Sequence, residues 1–176
     1  MNRINVPTKI YTNNIKNFQS NTKLCNSQGE INVRRMDGPL TDNSILWAIP
    51  ADEPKTVYYY PMSQGLQYFP CKKEERVRKN QSLRTANMIH HNYLVQGRPV
   101  LCAGESHKRL SSDNRSLTNK SGHYTPDNDC LDYVKQIFEE NGNPITNVVY
   151  MKQIHTKKAR KARKARKTRK SRNRMD

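Results

Sequence analysis

The chain has 176 residues, 32 Lys/Arg against 15 Asp/Glu for a net charge of +17, and 34% hydrophobic residues with a mean hydropathy of −1.02. That length and apolar content suit one domain rather than two, and no stretch approaches the ~18 apolar residues of a membrane span. The first 15 residues lack the apolar stretch of an export signal, so the expectation is a soluble intracellular protein whose charge favours polyanionic partners, with no membrane among them.

Residues 1–30 hold seven Asn, with isolated apolar residues Ile10, Ile15, Phe18 and Leu24 that follow neither the helical nor the strand period. They read as a flexible arm. After the turn signal Asp37-Gly38-Pro39, the run Ile45-Leu46-Trp47-Ala48-Ile49 closed by Pro50 predicts a buried strand, and Val57-Tyr58-Tyr59-Tyr60 before Pro61 predicts its hairpin partner across a long loop. Leu66-Gln67-Tyr68-Phe69, between Gly65 and Pro70, predicts a third strand. Residues 72–84, rich in charge with Val77 and Leu83 as their apolar positions, read as a loop.

Tyr93-Leu94-Val95 and Val100-Leu101-Cys102-Ala103 predict two strands turning around Gly97. Residues 105–120 read as a polar surface loop. Thr125 as N-cap, Pro126 at the first position, and Asp127 and Asp129 near the positive end of the dipole predict a helix start. Cys130, Leu131, Val134, Ile137 and Phe138 fall at helical spacing, and Asn141-Gly142 supplies the stop. Val148-Val149-Tyr150, within residues 145–150, predicts a last strand. The expected fold is therefore α+β, a mostly antiparallel sheet with one main helix at about 126–141. Its organisation is an Asn-rich arm at 1–30, a single domain at 31–155, and a disordered basic tail at 156–176. The widely spaced Cys25, Cys71, Cys102 and Cys130 form no Cys-x-x-Cys pair, and free, buried thiols are expected.

The tail is the most polarised segment. Its 21 residues contain 12 Lys/Arg and one acid, so it carries +11 and leaves +6 to the rest. The basic residues are Lys157, Lys158, Arg160, Lys161, Arg163, Lys164, Arg166, Lys167, Arg169, Lys170, Arg172 and Arg174. A Lys-x-Arg period of three falls short of 3.6, so the intervening Ala, Thr and Ser precess around a helix and build no apolar stripe. An amphipathic membrane helix is thereby disfavoured. Like charges at i,i+3 and i,i+4 repel until phosphate relieves them, and the twelve residues are the expected nucleic-acid contacts, with no sequence readout. Thr168 and Ser171 inside the run would lose that character on phosphorylation.

A second constellation runs His90-His91-Asn92-Tyr93-Leu94 through Ala103-Gly104-Glu105 to Ser121-Gly122-His123-Tyr124-Thr125-Pro126. It resembles a domain of plant IQ-motif-containing calmodulin-binding proteins, with relatives in fungi, bacteria and large DNA viruses. The resemblance covers residues 88–150, and its specific part is Ser121 to Pro126 with the helix that follows. Asn92 and Tyr93 stand where the family pattern has paired serines, and the IQ segment has no counterpart, so calmodulin binding is not implied. The resemblance implies a shared fold segment more than an activity.

Chemically, His91, Glu105 and His123 are the candidate acid/base or ligand residues, Glu105 and His123 being the natural proton-handling pair. Consecutive histidines on a strand would face opposite ways, so only one of His90 and His91 could join them. Cys102, His107, His123 and Cys130 are spaced too widely for a structural metal site, and neither metal nor cofactor is expected. Tyr58, Tyr59, Tyr60, Tyr68 and Phe69 read as sheet core and hairpin surface ahead of a stacking platform for single strands. Arg34, Arg35, Lys72, Lys73, Arg76, Arg78 and Lys79 would extend the basic surface.

The leading expectation is a non-enzymatic module whose tail binds nucleic acid, as in genome packaging or a nucleoid-associated protein of a large DNA virus, located in the nucleus, viral factory or virion core. One alternative is an enzyme or small-ligand receptor using His91, Glu105 and His123, with the tail as a nuclear or nucleolar signal. Another is a virion structural protein. Homo-oligomers or capsid and core proteins are the expected protein partners.

Overall fold

The computed structural model describes residues 5–13, 23–26, 29–30, 32–62, 69–71, 91–109, 114–122 and 124–151. The strands are β1 (Leu24–Asn26), β2 (Gly29–Glu30), β3 (Arg34–Arg35), β4 (Ser44–Pro50), β5 (Tyr58–Pro61), β6 (Phe69–Pro70), β7 (Val100–Lys108), β8 (Arg115–Thr118) and β9 (Ile145–Val149). The helices are α1 (His91–Leu94), a 3-10 turn (Asn128–Cys130) and α2 (Leu131–Glu140). Six strands form one sheet in the order β3-β5-β4-β7-β8-β9, and β2-β1-β6 form a small second one. All pairings are antiparallel except β8 with β9, the two strands that flank α2 in the chain. The architecture is α+β, with a mostly antiparallel sheet and one main helix.

β4 is apolar along its length because both of its faces are covered. Ile45, Trp47 and Ile49 point into a core shared with Leu117, Leu131, Val134, Ile137 and Phe138, the Trp47 and Phe138 rings meeting edge-on at 5.8 Å. Leu46 and Ala48 point the other way, into a cluster with Tyr60, Leu94, Val95, Val100, Ala103 and Tyr124. The period of two thus divides one strand between two cores. On β7 the register shifts at Ile49/Pro50, so that Ile49 faces Cys102 while Pro50 faces Val100. Leu101 is the extra residue of a bulge, which brings Leu101 and Cys102 into the same core.

The cap lies on the 3-10 turn that leads into α2, and it is not the expected residue; α2 itself follows from Cys130 without a side-chain cap. Asp127 is extended (φ −78°, ψ −174°) and its side chain accepts the Asp129 N–H, whereas Thr125 sits at φ 43°. That positive φ is unlike the extended backbone an N-cap adopts, and Pro126 precedes the helix rather than opening it. The expected stop is present: Gly142 at φ +80° gives its N–H to Glu139 O (3.0 Å) and Asn143 gives its N–H to Phe138 O (2.9 Å). Asn143 then ties the helix end to the preceding loop, accepting Leu40 N–H (2.7 Å) and donating to Gly38 O (3.1 Å).

Three further expectations are corrected. Tyr93-Leu94-Val95 is not a strand: residues 91–94 make one helical turn, and Gln96 (φ 54°) and Gly97 (φ 73°) reverse the chain with Gly97 N–H on Asn92 O (2.8 Å). A turn around Gly97 exists, but it leads from a helix into β7. Within the expected 105–120 loop, residues 105–108 are the second half of β7 and residues 115–118 are β8, with Arg115 buried at the start of β8 and donating to Asp42 O. Finally, the cysteines are paired rather than free. Cys25 bonds to Cys71 (Cα–Cα 5.0 Å) across the β1–β6 pairing, and Cys102 on β7 bonds to Cys130 at the foot of α2 (5.7 Å). The pairs come from strand pairing and helix packing, which linear spacing does not reveal.

Within residues 1–30, Tyr11 exchanges both backbone hydrogen bonds with Val100 (2.9 Å each), and its hydroxyl and the Lys9 ammonium both reach Asp127. The tail, His90, His123, residues 72–84 and Leu66 to Tyr68 lie outside the described residues.

Candidate functional site

β7 carries the site. Side chains two apart on a strand share a face, so Glu105 and His107 stand together on the α1 side of the sheet. Directly opposite on β4 are Leu46 and Ser44, and on β8 Thr118 and Ser116. The apolar cover of that face ends at Glu105, leaving a polar ledge beyond it.

Along the ledge the side chains connect in series. The Ser44 hydroxyl lies 2.9 Å from His107 Nδ1, and His107 Nε2 lies 3.2 Å from Glu105 Oε2. Lys120 Nζ is 3.6 Å from the other carboxylate oxygen. Thr118 Oγ1 accepts the backbone N–H groups of Glu105 (3.4 Å) and Lys120 (3.3 Å), fixing both to β8. The Glu105 side chain is 11% exposed and that of His107 is 43%. Burial pushes the Glu105 carboxyl up. The hydrogen bond from His107, with the fields of Lys120, His107 and His91, outweighs burial and holds it below its ordinary value.

Two of the three sequence candidates come together here. His91, buried at the start of α1, donates from Nε2 to Gly104 O (2.8 Å), one residue before Glu105. His91 opens a helical turn rather than lying on a strand, so strand alternation does not set its direction. The third candidate, His123, lies outside the described residues. Its motif builds a tight turn: Ser121 Oγ accepts Tyr124 N–H (3.3 Å), Ser121 O accepts Thr125 N–H (3.0 Å), and the buried Tyr124 donates its hydroxyl to Arg98 O (2.7 Å). Burial raises the Tyr124 pKa, so this hydroxyl is a fixed donor.

Sequence reasoning missed Ser44, His107, Thr118 and Lys120. The signal was the spacing in Gly104-Glu105-Ser106-His107, which puts the carboxylate and the imidazole on one face once β7 is extended through Lys108. Cys102 and Cys130 form a disulfide, and among the described residues no group of three or more His, Cys, Asp or Glu is placed to hold a metal.

Of the aromatic set, Tyr58, Tyr59 and Tyr60 lie on β5 of the main sheet and Phe69 on β6 of the small one, while Tyr68 is outside the described residues. Tyr60 is buried, while Tyr58 donates to Glu53 Oε2 (2.8 Å) and has the Arg35 and Arg98 guanidinium groups 5.8 and 5.6 Å from its ring centre. Arg34 and Arg35 are paired with Asp42 (3.6 Å) and Glu53 (3.9 Å), which dilutes the basic surface there. Comparison with family models, curated proteins and solved structures finds no match.

Proposed function

We propose that the protein binds nucleic acid without sequence preference through residues 157–174, the α+β body serving as the platform from which that segment is presented. The observation that carries this reading is the concentration of 12 Lys/Arg and one acid in the last 21 residues. Each phosphate neutralised releases condensed counterions, so affinity comes from charge and falls with salt. The body favours a defined point of departure. Met151, the last described residue, gives its N–H to Asn119 Oδ1 (2.9 Å), and the same buried amide donates to Pro126 O (2.9 Å).

The test is fluorescence anisotropy on duplex and single-stranded oligonucleotides of several sequences across a salt series. If half of the basic residues engage, log K falls against log salt with a slope of about −5, and affinity drops about 10³-fold between 50 and 200 mM salt. Replacing all twelve basic residues of the tail by Gln in the full chain should remove most of that slope. A variant that binds as tightly as wild type, with an unchanged slope, would refute the reading.

A further inference from the structure

We propose that Ser44, His107 and Glu105 form a nucleophilic site in which the Ser44 hydroxyl attacks carboxylic esters. The inference is independent of the tail. Its basis is the order of the hydrogen bonds. The Nε2–H of His107 is taken by the Glu105 carboxylate at 3.2 Å, so the ring lone pair sits on Nδ1, and that is the atom 2.9 Å from Ser44 Oγ. A hydroxyl donating to an imidazole whose other nitrogen is held by a carboxylate is the arrangement that activates a serine, here with the two ring nitrogens exchanged relative to the familiar protease order.

The cross-strand pairing of Ser44 with His107 alone would produce a serine–histidine contact on any sheet. What distinguishes this one is Glu105. An almost buried carboxylate is expensive to place at the edge of an apolar cluster, and its ammonium partner, Lys120, is 3.6 Å away on a side chain that is 60% exposed. It gives the protein little stability as an ion pair. It does give the imidazole one tautomer and a counter-charge for the imidazolium. Among the described residues, Glu105 on its own strand is the charged group bonded to that imidazole, and Lys120 beyond β8 and His91 from α1 act on the carboxylate. His107 is 43% exposed, so an ester in solution can reach the pair. Met62, half-buried against the Leu46–Tyr60 cluster, gives its N–H to Ser44 O (2.8 Å), which ties the Ser44 backbone to the end of β5.

In the acylation step Ser44 Oγ bonds to the carbonyl carbon as its proton passes to His107 Nδ1. The tetrahedral adduct then collapses, the bond from carbon to the alcohol oxygen breaks, and the alcohol leaves with the proton from Nδ1. Water repeats the sequence: its oxygen bonds to the acyl carbon, its proton goes to Nδ1 and on to Ser44 Oγ, and the Oγ–C bond breaks to release the acid.

The test uses the full chain and a fluorophosphonate probe, which traps the same nucleophile by forming an Oγ–P bond while fluoride leaves and His107 takes the proton. Peptide mapping should find the adduct on Ser44, and Ser44→Ala should abolish it. The His107→Ala rate should fall about 100-fold, as for loss of a general base. Because that variant can fail to fold, the wild-type rate is also followed against pH. It should rise as an imidazole loses its proton and then level off. Absence of labelling, an adduct on a different residue, an unchanged rate in a folded His107→Ala, or a wild-type rate that climbs in proportion to hydroxide would each overturn the proposal.

Discussion

Gly104 is the residue on which the sheet and the ledge both depend, and Gly104→Ala tests the described packing most severely. A Cβ at this position would lie 1.7 Å from Thr118 O and 2.8 Å from Trp47 Cζ2. The first neighbour is backbone of the adjacent strand and the second belongs to the largest ring of the core, so neither can rotate aside. To restore ordinary contact β7 and β8 would have to part by about 1.5 Å. That breaks ladder hydrogen bonds next to Glu105↔Thr118, the pair that ties the Glu105 backbone to β8. Overpacking together with one or two lost hydrogen bonds sums to about 3–5 kcal/mol. For a domain of this size that is a fall of roughly 12–20 °C in melting temperature. Urea denaturation followed by far-UV circular dichroism measures it. Gly122→Ala is the control, since nothing lies within 4 Å of its added Cβ and its φ is not in the left-handed region. The control should stay within about 0.5 kcal/mol of wild type. A Gly104→Ala protein that unfolds within about 1 kcal/mol of wild type would mean that Trp47 and Thr118 do not flank this position as described.

Further consequences can be measured in the same way. Asn143→Ala leaves Leu40 N–H and Gly38 O without the amide they use, and should cost about 2 kcal/mol in urea denaturation with no change in helix content. Replacing Cys102 and Cys130 together by Ala opens a closure spanning 28 residues and should lower stability by about 3 kcal/mol; thiol titration of the denatured wild type that finds these cysteines reduced would refute the pairing. The Glu105 carboxyl is held below its ordinary value of 4.5, so the stability it contributes is present above pH 4.5 and is lost as pH falls through the lower folded value. The gap in melting temperature between wild type and Glu105→Gln should therefore shrink below pH 4.5, and a gap that stays constant down to pH 2 would contradict the assignment.

The elements legible in the sequence are those whose pattern is dictated by burial alone. Ile45 to Ile49 reads as a buried strand because both faces are covered. Leu131, Val134, Ile137 and Phe138 read as a helix because one stripe is covered. The Asn141-Gly142 stop reads correctly because a positive φ at that point requires a residue such as Gly. The second half of β7 and all of β8 fail to read as strands because their outward faces carry Glu105, His107, Ser116 and Thr118. Polar side chains facing one another across three strands resemble a loop in one dimension. Residues 91–94 fail for the opposite reason: Tyr93, Leu94 and Val95 are strand-forming types, yet one helical turn ending in Gln96 and Gly97 lets Leu94 and Val95 cap the Leu46–Ala48 face.

Misreading residues 105–120 as a loop and missing the ledge have a single physical origin. A carboxylate and an imidazole two residues apart mean nothing in a loop, where each side chain finds its own direction. In a strand the same spacing commits both to one face, and the antiparallel partner then supplies whatever stands opposite, here Ser44. His91 and Glu105 were accessible from the sequence as titratable members of the His90-His91 and Ala103-Gly104-Glu105 constellation. Ser44, Thr118 and Lys120 were not, because their proximity is created by the β4-β7-β8 register, which depends on the bulge at Leu101 and on the room Gly104 leaves for Trp47. The ledge is therefore a property of the sheet's register, and a one-residue slip of β7 would turn Glu105 and His107 into the Trp47 core.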